Sequence, residues 1–467
     1  MPEVIFVAVL AAAAAALIVA TMIFTGTLRL YKTLAFMWAV QPQIFATTAL
    51  STVPLVQAVL LPFYLLSRKP RVPSYATWLC VYGLFSLLSM IWSPSPGLAW
   101  GAGITVLGVS CMLIMASNVR SDERSLYQLI GLLGLVATVQ SLSILLFRLF
   151  PSVEEAYVRS SISPVLLGPR ALGISDGTTI DNWSDVEKSG GILFLNANTA
   201  SMVCGVAALV MFSGGVMIAK RGYLYAAVSL MGAVATGSKT ALILCIALPL
   251  MVVLVGVASS PRGRGRWYFA FILVLVIGFG AIQVVVLSFP EFVDALDETL
   301  VPRRALWSTA IEFVRSGSLL GLGYGGWEQQ WPSIGPLLGF PARYPPHNAV
   351  LASGVSLGYV GIVLVLGFYV SVARHHLRAA RLIPNFRTRL AIIALFGAWL
   401  WVIVHGQADP TPFWGDIHAV AYLALGATFM VRVTSTRFSM SDDGATPSVR
   451  YVRTVKVGRN VAANTGW

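Results

Sequence analysis

The 467-residue chain is 57% hydrophobic and only 11% charged, against about 25% charged for an average soluble domain. With a mean hydropathy of +0.78, this balance excludes a disordered chain, a nucleic-acid-binding protein and an ordinary soluble enzyme. It leaves an all-α polytopic membrane protein, so the net charge of +13 is read first as a topology signal.

Apolar runs recur at about 4–24, 45–66, 76–93, 98–117, 126–149, 193–214, 222–236, 240–258, 267–288, 349–372, 389–405 and 413–431, which predicts about twelve transmembrane helices. Residues 26–44 hold Arg29 and Lys32 and read either as a loop or as a thirteenth span. The first run is too long for a cleaved signal and has no basic segment before it, so it reads as a span. Cys80, Cys111, Cys204 and Cys245 each lie in an apolar run and read as free thiols. Most Lys and Arg residues fall on alternate loops, at 68–71, 120–124, 220–221, 262–266 and 374–389, and from 432 onward. The positive-inside rule places those loops in the cytoplasm. Two long loops, 150–192 and 289–348, then face the periplasm.

This organisation gives N-terminal transmembrane helices with the first periplasmic loop (1–192), a transmembrane domain with the larger loop (193–432), and a basic cytoplasmic tail (433–467) within reach of anionic lipid. No internal repeat and no inverted pair of broken helices is visible, and the spans are nearly free of charge. Both features argue against a polysaccharide transporter.

Chemistry is expected in the long loops. In the second, Leu306, Ala310, Phe313 and Val314 share one helical face, which predicts a short amphipathic helix on the membrane surface carrying Arg303 and Arg304. Gly321-Leu322-Gly323-Tyr324-Gly325-Gly326 follows, readable as a flexible turn or as a backbone nest for an anion. The loop ends in Arg343-Tyr344-Pro345-Pro346-His347-Asn348; the prolines stiffen the chain, so His347 is held at the membrane edge. Lys239, in Ser238-Lys239-Thr240, interrupts two apolar runs and is either a snorkelling interfacial residue or a cation in a polar cavity. Asn196 and Asn198 open a span as helix caps or as contacts to a sugar hydroxyl. Arg170 stands in the first long loop, as a surface charge or a site cation. His375 and His376 read as solvated charge. His405 and His418 flank a short loop with Asp409 and Asp416 and read as structural polar contacts beside a cavity.

In this order, the motifs Asn196-Ala197-Asn198, Thr236-Gly237-Ser238-Lys239-Thr240, Arg304-Ala305-Leu306-Trp307, Gly321-Leu322-Gly323-Tyr324-Gly325, His347-Asn348-Ala349-Val350-Leu351 and Gly358-Tyr359-Val360-Gly361 resemble the O-antigen ligase and O-antigen polymerase superfamily of bacterial membrane glycan ligases and polymerases. The resemblance runs from about residue 190 to 372; the first 190 residues match in architecture alone. It implies a GT-C-like inner-membrane glycosyltransferase working at the periplasmic face. The donor would be a glycan on undecaprenyl diphosphate, and the acceptor lipid A-core for a ligase or a lipid-linked glycan for a Wzy-type polymerase. The family's catalytic His falls on His347 and its diphosphate-binding basic pair on Lys239 and Arg304, or Arg303. Ligase members usually carry Arg where this chain has Lys239, and Ser-Lys-Thr at this junction resembles exopolysaccharide polymerase members.

The chemistry fits those residue types. A glycosyl diphosphate is already activated, and its leaving group needs positive charge, for which Arg303, Arg304, Lys239, Arg343 and Arg170 are available. The acceptor hydroxyl must lose a proton, a role for a histidine with a pKa near 6.5. The outer loops carry no Asp-x-Asp, so the reading calls for no metal and no cofactor, although Asp294, Asp297 and Glu298 stand close together.

Overall fold

The computed structural model describes residues 27–42, 51–119, 121–168, 171, 174, 185, 187–258, 290–317, 319–341 and 344–441; for 67, 290–302 and 434–441 it describes the backbone alone. These residues build helices and no strand. Hydrocarbon offers a backbone no hydrogen bonds, and a helix satisfies its own. In chain order the helices are α1 (Thr27–Val40), α2 (Thr52–Arg68), α3 (Ser74–Leu88), α4 (Pro96–Ala116), α5 (Glu123–Leu149), α6 (Pro151–Val158) and α7 (Ser163–Leu167). Then come α8 (Ala197–Met217), α9 (Arg221–Ala235), α10 (Lys239–Ala258), α11 (Pro290–Ser316), α12 (Gly326–Ile334), α13 (Ala349–Leu382), α14 (Phe386–His405) and α15 (Ala419–Ser441).

Among the described residues, seven helices are long and apolar enough to cross a membrane: Ser74–Ile91, α4, α5, α8, Lys239–Gly256, α13 and α14. α2 and α15 carry shorter apolar stretches. The described residues are thus all-helical in architecture, with the repeated long apolar helices of a multi-pass membrane protein. The expected spans 4–24 and 267–288 lie outside the described residues.

α8 forms the centre, packed against α9, α14 and α15, with 83% of its span buried; only 28% of the α10 span is buried. Exposed Leu84, Ile246 and Val363 would be a liability in water, and in a bilayer they face their solvent. The four cysteines are free thiols, as expected.

One open reading resolves locally, and three expectations are corrected. Within the 26–44 segment, Thr27–Val40 is a packed helix: Tyr31 and Trp38 are fully buried, Tyr31 and Thr428 share a 2.8 Å hydroxyl hydrogen bond, and Trp38 Nε1 donates to Gln57 Oε1 at 2.8 Å. Its two charges stay at the edge, Arg29 exposed and Lys32 donating to Gln128 Oε1 at 2.6 Å. α13 runs on to Leu382 rather than stopping near 372, because Arg374, Arg378 and Arg381 point outward while the buried stripe continues through Ala379 and Ala380. On that stripe His376 is buried, its Nδ1 2.9 Å from the Val372 carbonyl, so it is not a solvated charge.

The third correction concerns the amphipathic face of α11. Leu306, Ala310, Phe313 and Val314 are buried against Trp327, Trp331 and Val355, a small core separate from the main one. The face is covered by protein, not by lipid. Periodicity alone specifies that a face must be covered, not by what.

Candidate functional site

α13 starts where Asn348 caps it, its Oδ1 accepting from the N–H groups of Val350 and Leu351 at 3.0 Å each. The Ala349 N–H donates to the Gly406 carbonyl at 2.7 Å, which docks this end onto the turn after α14. Two prolines precede His347, which takes a left-handed backbone with φ +50°. For a non-glycine residue that conformation costs roughly 1–2 kcal/mol, so it persists only where the surroundings impose it. Here they do. The His347 ring stacks on Tyr344 at 4.6 Å, and its carbonyl accepts from Trp307 Nε1 at 3.4 Å. The Nδ1 atom is buried and has no hydrogen-bond partner among the described residues.

His347 lines a cavity of about 560 Å³ between α3, α4, α12, α13 and the 410–417 turn. That volume suits a small-molecule or sugar-sized ligand. Aromatic rings (Tyr82, Tyr324, Trp327, Trp414) and polar groups (Glu328, Ser353, Thr411) share the wall. Arg303, Arg304 and Lys239 are not part of it. Arg303 still acts on the site: burial first, and the Arg303 charge second, push the His347 pKa down to about 4. At neutral pH the ring is therefore uncharged, and it is a weaker base than the free imidazole expected from sequence.

Lys239 sits at the opening turn of α10, exposed, after the buried Ser238, whose Oγ accepts from the Ala241 N–H at 3.4 Å. This junction is tied to the first long loop. The Ser189 N–H donates to the Thr236 carbonyl at 3.2 Å. Ser189 Oγ and the Gly190 N–H in turn donate to Glu154 Oε1 at 3.1 and 3.2 Å. Gln140 clamps the same strip, donating to the Gly190 carbonyl at 2.7 Å and accepting from the Leu193 N–H at 3.0 Å. Glu154 is buried, and that burial raises its pKa against the pull of the donated hydrogen bonds.

At α8 the capping falls to Asn196, which accepts from the N–H groups of Asn198 and Thr199; Asn198 is half-buried in the first turn. Arg170 and Arg343 lie outside the described residues, and so do the side chains of Asp294, Asp297 and Glu298. Among the described residues no group of three or more His, Cys, Asp or Glu is placed to hold a metal.

The glycine-rich turn is not an anion nest. The Leu322 and Gly323 N–H groups donate to the Val355 and Ser356 carbonyls at 2.8 and 3.0 Å, and the Tyr324 N–H donates to Ser93 Oγ at 2.9 Å. Those carbonyls are open because α13 breaks at Gly358, with φ 64° and ψ −155°. A Cβ on Gly323 would stand 2.5 Å from Ser93 Cα. The glycines therefore serve close backbone packing. His405 and His418 make the expected polar contacts, His405 Nδ1 with Thr411 Oγ1 at 3.0 Å and His418 Nδ1 with Asp416 at 2.6 Å. The Nε2 atoms of both are buried, without a hydrogen-bond partner among the described residues.

Sequence reasoning passed over Glu328, Tyr82 and Tyr324. Tyr324 stands inside the glycine motif, which was a usable signal. Tyr82 reaches the cavity from α3, more than 240 positions away in sequence from the Tyr324 hydroxyl it faces at 3.3 Å, and nothing local marks it.

Residues 224–366 match the family described as O-antigen ligase. The matched stretch runs from α9 into α13 and takes in Lys239, Arg303, Arg304, Glu328 and His347. No curated protein matches the chain.

Proposed function

From the match of residues 224–366 to the O-antigen ligase family we propose that the chain is a member of the O-antigen ligase and polymerase superfamily, an inner-membrane glycosyltransferase of about twelve spans that moves a glycan from undecaprenyl diphosphate to a sugar hydroxyl of lipid A-core at the periplasmic face. The observation that carries the reading is His347: a strained, clamped histidine on a cavity wall, its Nδ1 buried and unmatched, with the Arg303 charge in reach.

In this reading the acceptor hydroxyl gives its proton to neutral His347 as its oxygen attacks the anomeric carbon. The bond from that carbon to the diphosphate oxygen breaks, and the electron pair leaves with the lipid diphosphate. One displacement inverts the configuration. Arg303, Arg304 and Lys239, with Arg343 and Arg170, neutralise the leaving anion, so the step needs no metal. Asn198 contacts the glycan. A bound diphosphate also offsets the Arg303 charge, the smaller of the two causes that depress the His347 pKa, so donor binding strengthens the base somewhat while the larger effect of burial remains.

Lys239 favours a second reading, a Wzy-type O-antigen or exopolysaccharide polymerase. Lys is a compact point charge and cannot form the bidentate fork of the Arg usual in ligases. Reconstitution with a lipid-linked glycan, EDTA throughout, and two competing acceptors separates the two. Transfer to lipid A-core supports the ligase, and chain growth on lipid-linked glycan supports the polymerase. No transfer to either, with protein that is folded and inserted, overturns both.

A further inference from the structure

A second cavity, of about 1270 Å³, lies among the C-terminal ends of α2 and α4, the starts of α1 and α5, and the 428–432 stretch of α15. It is at the opposite end of the bundle from His347. α4 measures the separation: the Ser95 N–H just before it donates to the Tyr324 carbonyl beside the His347 cavity, and Ser117 and Asn118 just after it line the second one. Twenty-one helical residues span about 31 Å, close to the thickness of a hydrocarbon core. The second cavity therefore sits at headgroup level in the other leaflet.

Its wall carries Arg68, Lys69, Arg71 and Arg432, against one carboxylate, Asp122. Asp122 is engaged as the α5 cap, accepting from the Ser125 N–H at 3.0 Å, and Arg432 pairs with Glu123 at 3.2 Å. Arg68, Lys69 and Arg71 form no ion pair among the described residues. The short link that carries them is fixed rather than loose. Lys69 takes a left-handed φ of 43° to close α2, and Asn118 brackets Arg71 through both its N–H and its carbonyl at 2.8 Å each. Three cations without an ion-pair partner among the described residues are thus held around one hollow. The carbonyl ends of α2 and α4 disfavour an anion there by roughly half a charge each, which three full positive charges outweigh. Tyr64 adds a hydroxyl, while Leu28 and Val431 supply apolar wall.

We propose that this cavity binds a phosphate ester, presented by an anionic phospholipid headgroup or by a soluble glycerol phosphate, with Arg68, Lys69 and Arg71 as its ligands. A phosphate diester suits the charge-assisted donors, and the apolar wall suits the glycerol and acyl portion of a lipid. The inference is independent of the transfer chemistry at His347.

Native mass spectrometry of the full chain in neutral detergent tests it, with phosphatidylglycerol, phosphatidylcholine and glycerol 3-phosphate as probes. Phosphatidylglycerol should bind at least about tenfold tighter than phosphatidylcholine, given roughly 1 kcal/mol per basic residue at an anionic headgroup. Each of Arg68→Gln, Lys69→Gln and Arg71→Gln should weaken it about fivefold and the triple variant on the order of a hundredfold. Arg378→Gln/Arg381→Gln, outside the cavity wall, should change it less than about twofold. Tryptophan fluorescence melting checks that each variant is folded, and the single exposed-site variants carry the test if the triple one is not. Competition by glycerol 3-phosphate identifies a soluble ester as ligand; lack of competition identifies the lipid. Equal binding of the two lipids with no binding of glycerol 3-phosphate, or an equal loss in the control pair, overturns the proposal.

Discussion

Lys239 and Arg303 would serve the diphosphate from different settings. Lys239 is exposed at a helix start, and an exposed cation 4 Å from a phosphate gains only about 1 kcal/mol in water. Lys239→Ala should therefore raise the donor KM about fivefold, with Lys239→Arg recovering most of the loss; unchanged donor affinity in the alanine variant would reduce Lys239 to an interfacial anchor. Arg303 acts closer in, since its charge reaches His347. Residue identities such as His347 and Lys239 were legible in sequence because polar groups stand out against apolar runs. Their environments were not. Burial beside Arg303 displaces the His347 pKa by an arrangement assembled from α11 and the 344–348 segment, which no local pattern encodes.

At the scale of elements, the break in α13 and the glycine turn form one device. Gly358 interrupts the helix and frees two carbonyls, the N–H groups of Leu322 and Gly323 take them up, and the first turn of α13 with His347 before it is held in place. Gly323→Ala must place a side chain at φ +78° and 2.5 Å from Ser93 Cα. The backbone alone costs roughly 1–2 kcal/mol and the clash adds to it, so the variant should lower the Tm and the transfer rate together. Gly97→Ala, with open space around it, should lower neither. A Gly323→Ala protein with parental Tm and rate would show that the turn does not position the site. Local sequence could mark this stretch as a turn but not its purpose, because Ser93 comes from the turn before α4 and Val355 and Ser356 come from α13. Likewise the 3.6-residue stripe on α11 was readable, while its cover, Trp327 and Trp331, is a tertiary fact.

Across the whole molecule, helices were legible wherever a run was apolar on all sides, as in α4 and α8, and edges were misplaced wherever one face turned polar, as at the end of α13. The bundle separates two polar cavities by about 31 Å of helix, one with a histidine and aromatic rings, the other with basic residues. Under the proposed function, a hydroxyl is deprotonated in the first of these. The measurement that tests it most directly is glycan transfer by His347→Ala in proteoliposomes, followed from pH 5 to pH 8 beside the parent. A folded-state pKa of about 4 leaves the ring largely unprotonated across that range, so the parent kcat/KM should be nearly flat and should fall only as the pH drops toward 4; its kcat should bend at a slightly higher pH, because bound donor offsets the Arg303 charge while burial, the larger cause, remains. The variant should turn over about 10²–10⁴-fold more slowly while binding donor almost as well. A correctly inserted His347→Ala protein that transfers glycan at the parental rate would contradict the account.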